Sequence, residues 1–174
     1  KKILLHFHKN ILRAFNHKYR FLVHAKGGGV SEMINDVELL QDICESSEMG
    51  RDSIMHVIKL TDDPGFRKTL ETQLTEFANM YDTADKMLQE RGSRPSSVGP
   101  VAKAASYVTA TMKTLKENTP SCIAEMMIQG STMGITKLTR QLNEYDGSDD
   151  SAARLAQKQL KTEQANIDEM KKFL

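Results

Sequence analysis

Residues 75–82 read TEFANMYD, and a closely similar segment, TEQANIDE, follows at residues 162–169. A second pair of matching segments lies upstream at almost the same distance, with SEMG at Ser47–Gly50 and STMG at Ser131–Gly134. Matched segments in the two halves of a chain indicate a duplicated unit. Because apolar residues around these segments recur every three or four positions, we predict that the unit is a helical hairpin.

The charges divide the chain into two segments, although over all 174 residues they cancel to a formal net of +1. Residues 1–32 carry seven Lys or Arg against one acidic residue, whereas residues 33–174 carry 17 basic and 22 acidic residues. All ten methionines also lie in the second segment. We therefore predict a boundary near Met33, with residues 33–174 as one domain that is long enough for a hydrophobic core.

Residues 1–32 have three interpretations. In the first, they form an amphipathic helix that lies on an anionic membrane. The apolar residues at helical spacing are Leu4, Ile11, Phe15, Tyr19 and Leu22. A cleaved export signal fits less well, because charge interrupts the apolar residues. The third interpretation, which we favour, is that the segment is not native: Lys26–Gly29 shortly before Met33 resembles a translated ribosome-binding site, or the linker of an expression tag. Membrane association is expected only if the segment is native.

Capping residues predict five helices in the second segment. The first ends at Thr61–Pro64, where an acidic cap followed by proline begins the second, and the second ends at Arg91–Gly92. The remaining helices are predicted over residues 100–118, 121–145 and 149–173. Because the connections after the first and fourth helices are short, each joins antiparallel neighbours. The helix at 100–118 is then a crossover between two hairpins.

This all-α arrangement resembles the ferritin-like fold, a four-helix bundle of two antiparallel hairpins with a crossover between them. In ferritin-like carboxylate proteins, each hairpin supplies a Glu from one helix and a Glu-x-x-His from the other, and together they enclose two metal ions. Glu76-x-x-Asn79 and Glu163-x-x-Asn166 lie where the second of these motifs belongs, with Asn in place of both histidines.

The facing positions on the first helix of each hairpin are predicted to hold serines. Residues equally far from a hairpin turn lie at about the same height, which places Ser47 level with Glu76 and Ser131 level with Glu163. Glu48 lies about 100° round the helix from Ser47 and is expected to reach the centre only from the flank. The sequence therefore predicts a polar layer in the middle of the bundle. Its predicted members are Ser47, Glu76, Asn79, Ser131, Glu163 and Asn166.

The predicted layer has two interpretations. In the first, which we favour, the serines and asparagines hydrogen-bond the two glutamates and fix which helices pair, and no cofactor is held. In the second, Glu76 and Glu163, assisted by Glu48 and by Asn79 or Asn166, form a weak site for Fe(II) or Mn(II), because oxygen ligands suit hard cations. Enzymatic use, including ferroxidase chemistry, is not expected, because no nucleophile or positioned histidine accompanies the carboxylates.

The remaining residues bear on setting and partners. Cys44 and Cys122 lack the Cys-x-x-Cys spacing of zinc and redox motifs, which favours a reduced, cytoplasmic setting. Nucleic-acid binding is not expected of the net acidic residues 33–174. The partner that we expect is a second copy of the chain or another protein.

The segment Pro120–Ile135 is similar to uncharacterised ferritin-like bundles of spore-forming, clostridia-like bacteria, which share a two-hairpin plan with spore coat proteins of the F type. This resemblance implies a bacterial, non-secreted bundle with a structural, stress-linked or spore-associated role. The sequence therefore favours a non-enzymatic structural or interaction protein, with a degenerate divalent-metal site as the alternative.

Overall fold

The computed structural model describes residues 33–95, 119–147 and 150–174, and this part of the chain contains four α-helices. They are α1 (Asp36–Val57), α2 (Pro64–Glu90), α3 (Pro120–Asn143) and α4 (Asp150–Met170). Short 3-10 turns follow α1 at Ile58–Leu60 and α4 at Lys171–Phe173. The prediction of an all-α bundle is confirmed for these residues. The predicted segment at 1–32 and the predicted crossover helix at 100–118 lie outside them.

The helix boundaries follow from local capping. The Asn35 side chain accepts hydrogen bonds from two main-chain N–H groups of the first turn of α1, and the Glu38 carboxylate accepts one from the Asn35 N–H in return. The Asp63 carboxylate accepts a bond of 2.7 Å from the Phe66 N–H at the start of α2. After α2, Gly92 adopts a φ of 68°, which other residues rarely adopt. The Asp63 cap and Gly92 therefore account for the predicted start and end of α2.

The helices form two hairpins, α1 with α2 and α3 with α4. Each hairpin is antiparallel, because the start of α1 and the end of α2 share one apolar cluster and the start of α3 and the end of α4 share the other. The segment before α1 pairs with the segment after α3, since the Ile34 N–H donates to the Glu144 carbonyl oxygen at 2.9 Å. At the same end of the bundle, Arg91 beyond α2 donates to Ser151 Oγ in the first turn of α4, at 3.4 Å. It follows that α2 and α3 run in the same direction and that the chain between them joins opposite ends of the bundle.

Two apolar clusters fill the interior, and all four helices contribute to both. The lower cluster comprises Leu39, Leu40, Ile43, Cys44, Met80, Ala84, Leu88, Leu138, Ala152, Leu155 and Ala156. The upper cluster comprises Ile54, Val57, Phe66, Leu70, Phe77, Ile123, Ala124, Met127 and Met170. Since burying one such Leu, Ile or Phe side chain contributes about 1.5–3 kcal/mol, these clusters are the main source of stability. In the described ranges, no helix is both long and apolar enough to span a membrane.

Candidate functional site

A layer of polar side chains lies between the lower and upper clusters. On α1, Ser47 is fully buried and falls between Cys44 of the lower cluster and Ile54 of the upper cluster. On α4, Glu163 falls in the same way between the two clusters, with 5% of its surface exposed. We call this set the polar layer. Its members are Ser47, Glu76, Ser131, Gln159, Glu163 and Asn166, together with Gln73, which lies at the edge of the layer between Leu70 and Phe77 of the upper cluster.

Glu163 is the most deeply placed carboxylate of the polar layer. Burial raises its pKa to about 7, since an ionised carboxylate loses its hydration there. A hydrogen bond from the Ser131 hydroxyl lowers the pKa, and the charge of Glu76 raises it. Gly134 lies beside the carboxyl group, since a Cβ at that position would be in ordinary van der Waals contact with Glu163 Oε1 at 3.5 Å. Glu163 is therefore partly protonated at neutral pH.

Glu76 reaches the polar layer from the edge of α2. It is half-buried, and burial raises its pKa, while the neighbouring Asn166 amide lowers it. Asn166 is itself buried, yet its Nδ2 and the Glu76 Oε2 lie outside hydrogen-bonding geometry. Two carboxylates thus share one low-dielectric region, where ionisation of one disfavours ionisation of the other.

Unpaired polar atoms are concentrated in the polar layer. Within the described residues, the buried side-chain atoms that lack a hydrogen-bond partner are Ser47 Oγ, Glu76 Oε2, Gln159 Oε1, Glu163 Oε2 and Asn166 Nδ2. Each such atom costs about 1–3 kcal/mol when nothing satisfies it. Every one of them belongs to the polar layer, and four of the five are oxygens. The layer consequently presents a set of oxygen donors that a cation or water can satisfy.

Two members of the polar layer, Gln73 and Gln159, were not predicted. Gln73 Nε2 donates to the Asn166 main-chain oxygen at 3.3 Å, and Gln159 Nε2 donates to Ser46 Oγ at 2.9 Å. Both hydrogen bonds join helices of different hairpins. The signal was present in the sequence, because Gln159 lies one helical turn before Glu163 on the same face, and Gln73 lies at core spacing from Phe77.

Two predicted site residues lie elsewhere. Asn79 is exposed on the outer face of α2, so its predicted place in the polar layer is wrong. Glu48 is half-buried and pairs with Arg51, with 3.7 Å between Glu48 Oε1 and Arg51 Nη2. The Arg51 guanidinium in turn lies 5.4 Å from the ring centroid of Tyr81. Glu48 therefore belongs to a charged group on the flank of the bundle and is not brought to the two central carboxylates.

The prediction for Asn79 was wrong because the sequence repeat and the buried faces of α2 and α4 differ in alignment by one residue. The sequence repeat aligns Glu76 with Glu163 and Asn79 with Asn166. The buried faces of α2 and α4, however, correspond when Phe77 is aligned with Glu163. One residue turns a helix by about 100°, which moves Glu76 to the edge and Asn79 to the outside.

The described residues do not fit a dinuclear carboxylate centre. Nowhere among them do three His, Cys, Asp or Glu side chains come close enough to hold a metal ion together. Of the expected ligands, Glu76 is close enough to Glu163 for its charge to raise the pKa of Glu163, whereas Asn79 is exposed. A single hard cation is a better fit, since two carboxylates can be supplemented by neutral oxygens such as Ser47 Oγ and Gln159 Oε1.

Comparisons with protein-family models, with curated proteins and with solved structures give no match to this chain.

Proposed function

We propose that this protein is a non-enzymatic, ferritin-like bundle whose polar layer binds a hard divalent cation, such as Mn(II) or Fe(II), through Glu163 and Glu76. The observation that carries the proposal is the gathering of unpaired, buried oxygen atoms in this one layer. Carboxylate and neutral oxygens are the ligands that hard cations prefer. A bound cation would satisfy several of these atoms and neutralise the repulsion between the two carboxylates.

The helix directions support the ferritin-like part of the proposal. Within each hairpin the two helices are antiparallel, whereas α2 and α3, which belong to different hairpins, run in the same direction. The chain between α2 and α3 therefore joins opposite ends of the bundle. One long connection of this kind distinguishes ferritin-like bundles from those with short loops throughout. The two carboxylates also lie at mid-height, between the two apolar clusters, as metal ligands do in bundle cores.

Protonation limits the affinity that we expect. A carboxyl group must lose its proton to coordinate a cation, and the pKa of Glu163 is about 7. Cation binding at neutral pH therefore competes with protonation and becomes tighter as the pH rises from about 6 to 8. We assign the layer a binding role and propose no catalysis.

A second candidate function is structural. The hydrogen bonds from Gln73 to Asn166 and from Gln159 to Ser46 join the two hairpins within the layer. Buried polar groups of this kind can fix which helices pair and in what register. In this case the two carboxylates share a proton, no ion is needed, and the bundle acts as a structural or interaction module.

Metal binding separates the two candidates. The full chain is purified under reducing conditions, and bound Mn(II) is measured by elemental analysis after equilibrium dialysis at pH 7.5. We expect stoichiometric Mn(II) in the wild type and its loss in Glu163→Gln, which preserves the size of the side chain. The matched control is Glu169→Gln, the same change at an exposed position of the same helix. Its Mn(II) content should equal that of the wild type.

The contrary result is equally clear. If the wild type and Glu163→Gln both lack stoichiometric Mn(II) and both remain folded by circular dichroism, the cation proposal is wrong and the structural candidate stands.

A further inference from the structure

We infer that the polar layer holds one cation per chain, on the side of the α3–α4 hairpin, because Phe77 fills the corresponding place on the α1–α2 hairpin. This inference rests on the proposed function and specifies the capacity of the same site. It follows from comparing the two hairpins position by position.

The first helices of the hairpins keep the register of the sequence repeat. The buried positions of α1 and α3 correspond when Ser47 is aligned with Ser131 and Gly50 with Gly134. The second helices correspond when Phe77 is aligned with Glu163. Phe77 and Glu163 are thus the equivalent inward residues of the two hairpins, one apolar and one acidic.

The two glycines show that this equivalence is spatial. A Cβ at Gly134 would lie 3.5 Å from Glu163 Oε1, and a Cβ at Gly50 would lie 2.7 Å from the Phe77 ring. In each hairpin, then, a glycine of the first helix receives the inward side chain of the second. In the α1–α2 hairpin that side chain is a ring that is 5% exposed and packed in the upper cluster.

This asymmetry sets the number of ions. Phe77 offers no donor atom and occupies the volume where a second carboxylate would stand, while Glu76 reaches the layer only from the edge. Two divalent cations side by side repel each other strongly and need several shared carboxylates to offset that repulsion. Glu163 and Glu76 are the carboxylates that the described helices bring to the layer, which is enough for one hard cation with neutral oxygens and water.

The test counts Mn(II) ions on the full chain at pH 8 by electron paramagnetic resonance, which measures free ions and shows whether bound ions interact. The wild type is expected to bind one ion with the hyperfine pattern of isolated Mn(II). Phe77→Glu, which places a carboxylate opposite Glu163, is expected to raise the count to two. Phe77→Leu removes the ring without adding a donor and is the matched control, with an expected count of one.

Each other outcome overturns a defined claim. A wild type that binds two ions, or gives an exchange-coupled spectrum, overturns the single-ion inference and leaves the proposed function standing. A folded Phe77→Glu protein that still binds one ion also overturns the inference, as does a second ion in Phe77→Leu. A wild type that binds no ion overturns the proposed function and the inference together. The ion count and the spectrum of the wild type are sufficient to test the inference, so the test does not depend on whether Phe77→Glu folds.

Discussion

Gln73 of α2 donates a hydrogen bond from its Nε2 to the main-chain oxygen of Asn166 in α4, at 3.3 Å, inside the bundle. Gln73 is 2% exposed, and its partner lies 93 residues away in the other hairpin. The bond therefore fixes the height of one hairpin against the other, about one helical turn from the two central carboxylates.

Replacing Gln73 with Met tests the contribution of this bond. Met has a similar volume but no donor, so the substitution should lower the free energy of unfolding by about 1 kcal/mol. Gln89→Met is the matched control, because the side chain of the exposed Gln89 donates to Asp85 on its own helix, and it should change stability by less than about 0.5 kcal/mol. Urea denaturation measures both, and equal effects would contradict a special role for Gln73.

Glu163 should make the fold less stable as the pH rises. Its pKa is raised by burial to about 7 in the folded protein, so the folded state retains a proton that the unfolded chain loses near its ordinary value of 4.5. The stabilisation due to this proton is complete below about pH 4.5 and is lost as the pH rises through 7. Without added metal, Glu163→Gln should therefore be more stable than the wild type at pH 8, by on the order of 2–3 kcal/mol, and similar to it at pH 5.

Denaturation curves of Glu163→Gln from pH 5 to 8 in the presence of a chelator check this difference. Glu169→Gln, at an exposed site, should follow the wild type throughout. A constant gap between Glu163→Gln and the wild type across this range would show that Glu163 does not titrate in the folded state.

Replacing Gly50 with Ala should lower the stability of the fold, whereas replacing Gly134 with Ala should raise it. Alanine at Gly50 would place a Cβ 2.7 Å from the Phe77 ring, and such overpacking costs about 1–3 kcal/mol. At Gly134 the added Cβ would make ordinary contact with Glu163 at 3.5 Å, and the helix gains up to about 1 kcal/mol in propensity. Chemical denaturation of Gly50→Ala and Gly134→Ala measures the contrast. Equal stability of the two variants would contradict the packing described for the hairpins.

The two thiols should differ in reactivity. Cys44 is 1% exposed, and burial together with the charges of Asp85 and Glu48 raises its pKa to about 12, whereas Cys122 is half-buried near the start of α3. A thiol reagent at pH 8 should modify Cys122 within minutes and Cys44 only in denaturant. Mass spectrometry of the quenched protein identifies the modified residue, and rapid labelling of Cys44 in the native protein would contradict its position in the lower cluster.

Much of the described fold could be predicted because its determinants are local. The Asp63 cap and the Gly92 terminus fix the ends of α2, and both are visible in the sequence. The repeat also placed Ser47 and Ser131 at equivalent positions, which the structure reproduces because α1 and α3 keep the same register.

The rotation of the second helices could not be predicted from the repeat. Phe77 stands where the repeat places Gln164 on α4, and Gln164 is exposed. Burial of a large ring is worth more than burial of Glu76 or Asn79, so α2 turns to bring Phe77 inward. One substitution in a repeated segment thus decided which half of the polar layer carries the carboxylate. The repeat aligns the two segments but does not show which of its differences controls packing.

The central claim is that the Glu163 carboxyl group releases its proton to the solvent when a cation binds to it. The most direct test adds Mn(II) to the full chain in weakly buffered solution at pH 6.5 and measures the protons released. With a pKa of about 7, Glu163 should release roughly three quarters of a proton per ion bound, and Glu163→Gln should release far less. Mn(II) binding without proton release, or equal release from both proteins, would contradict the account.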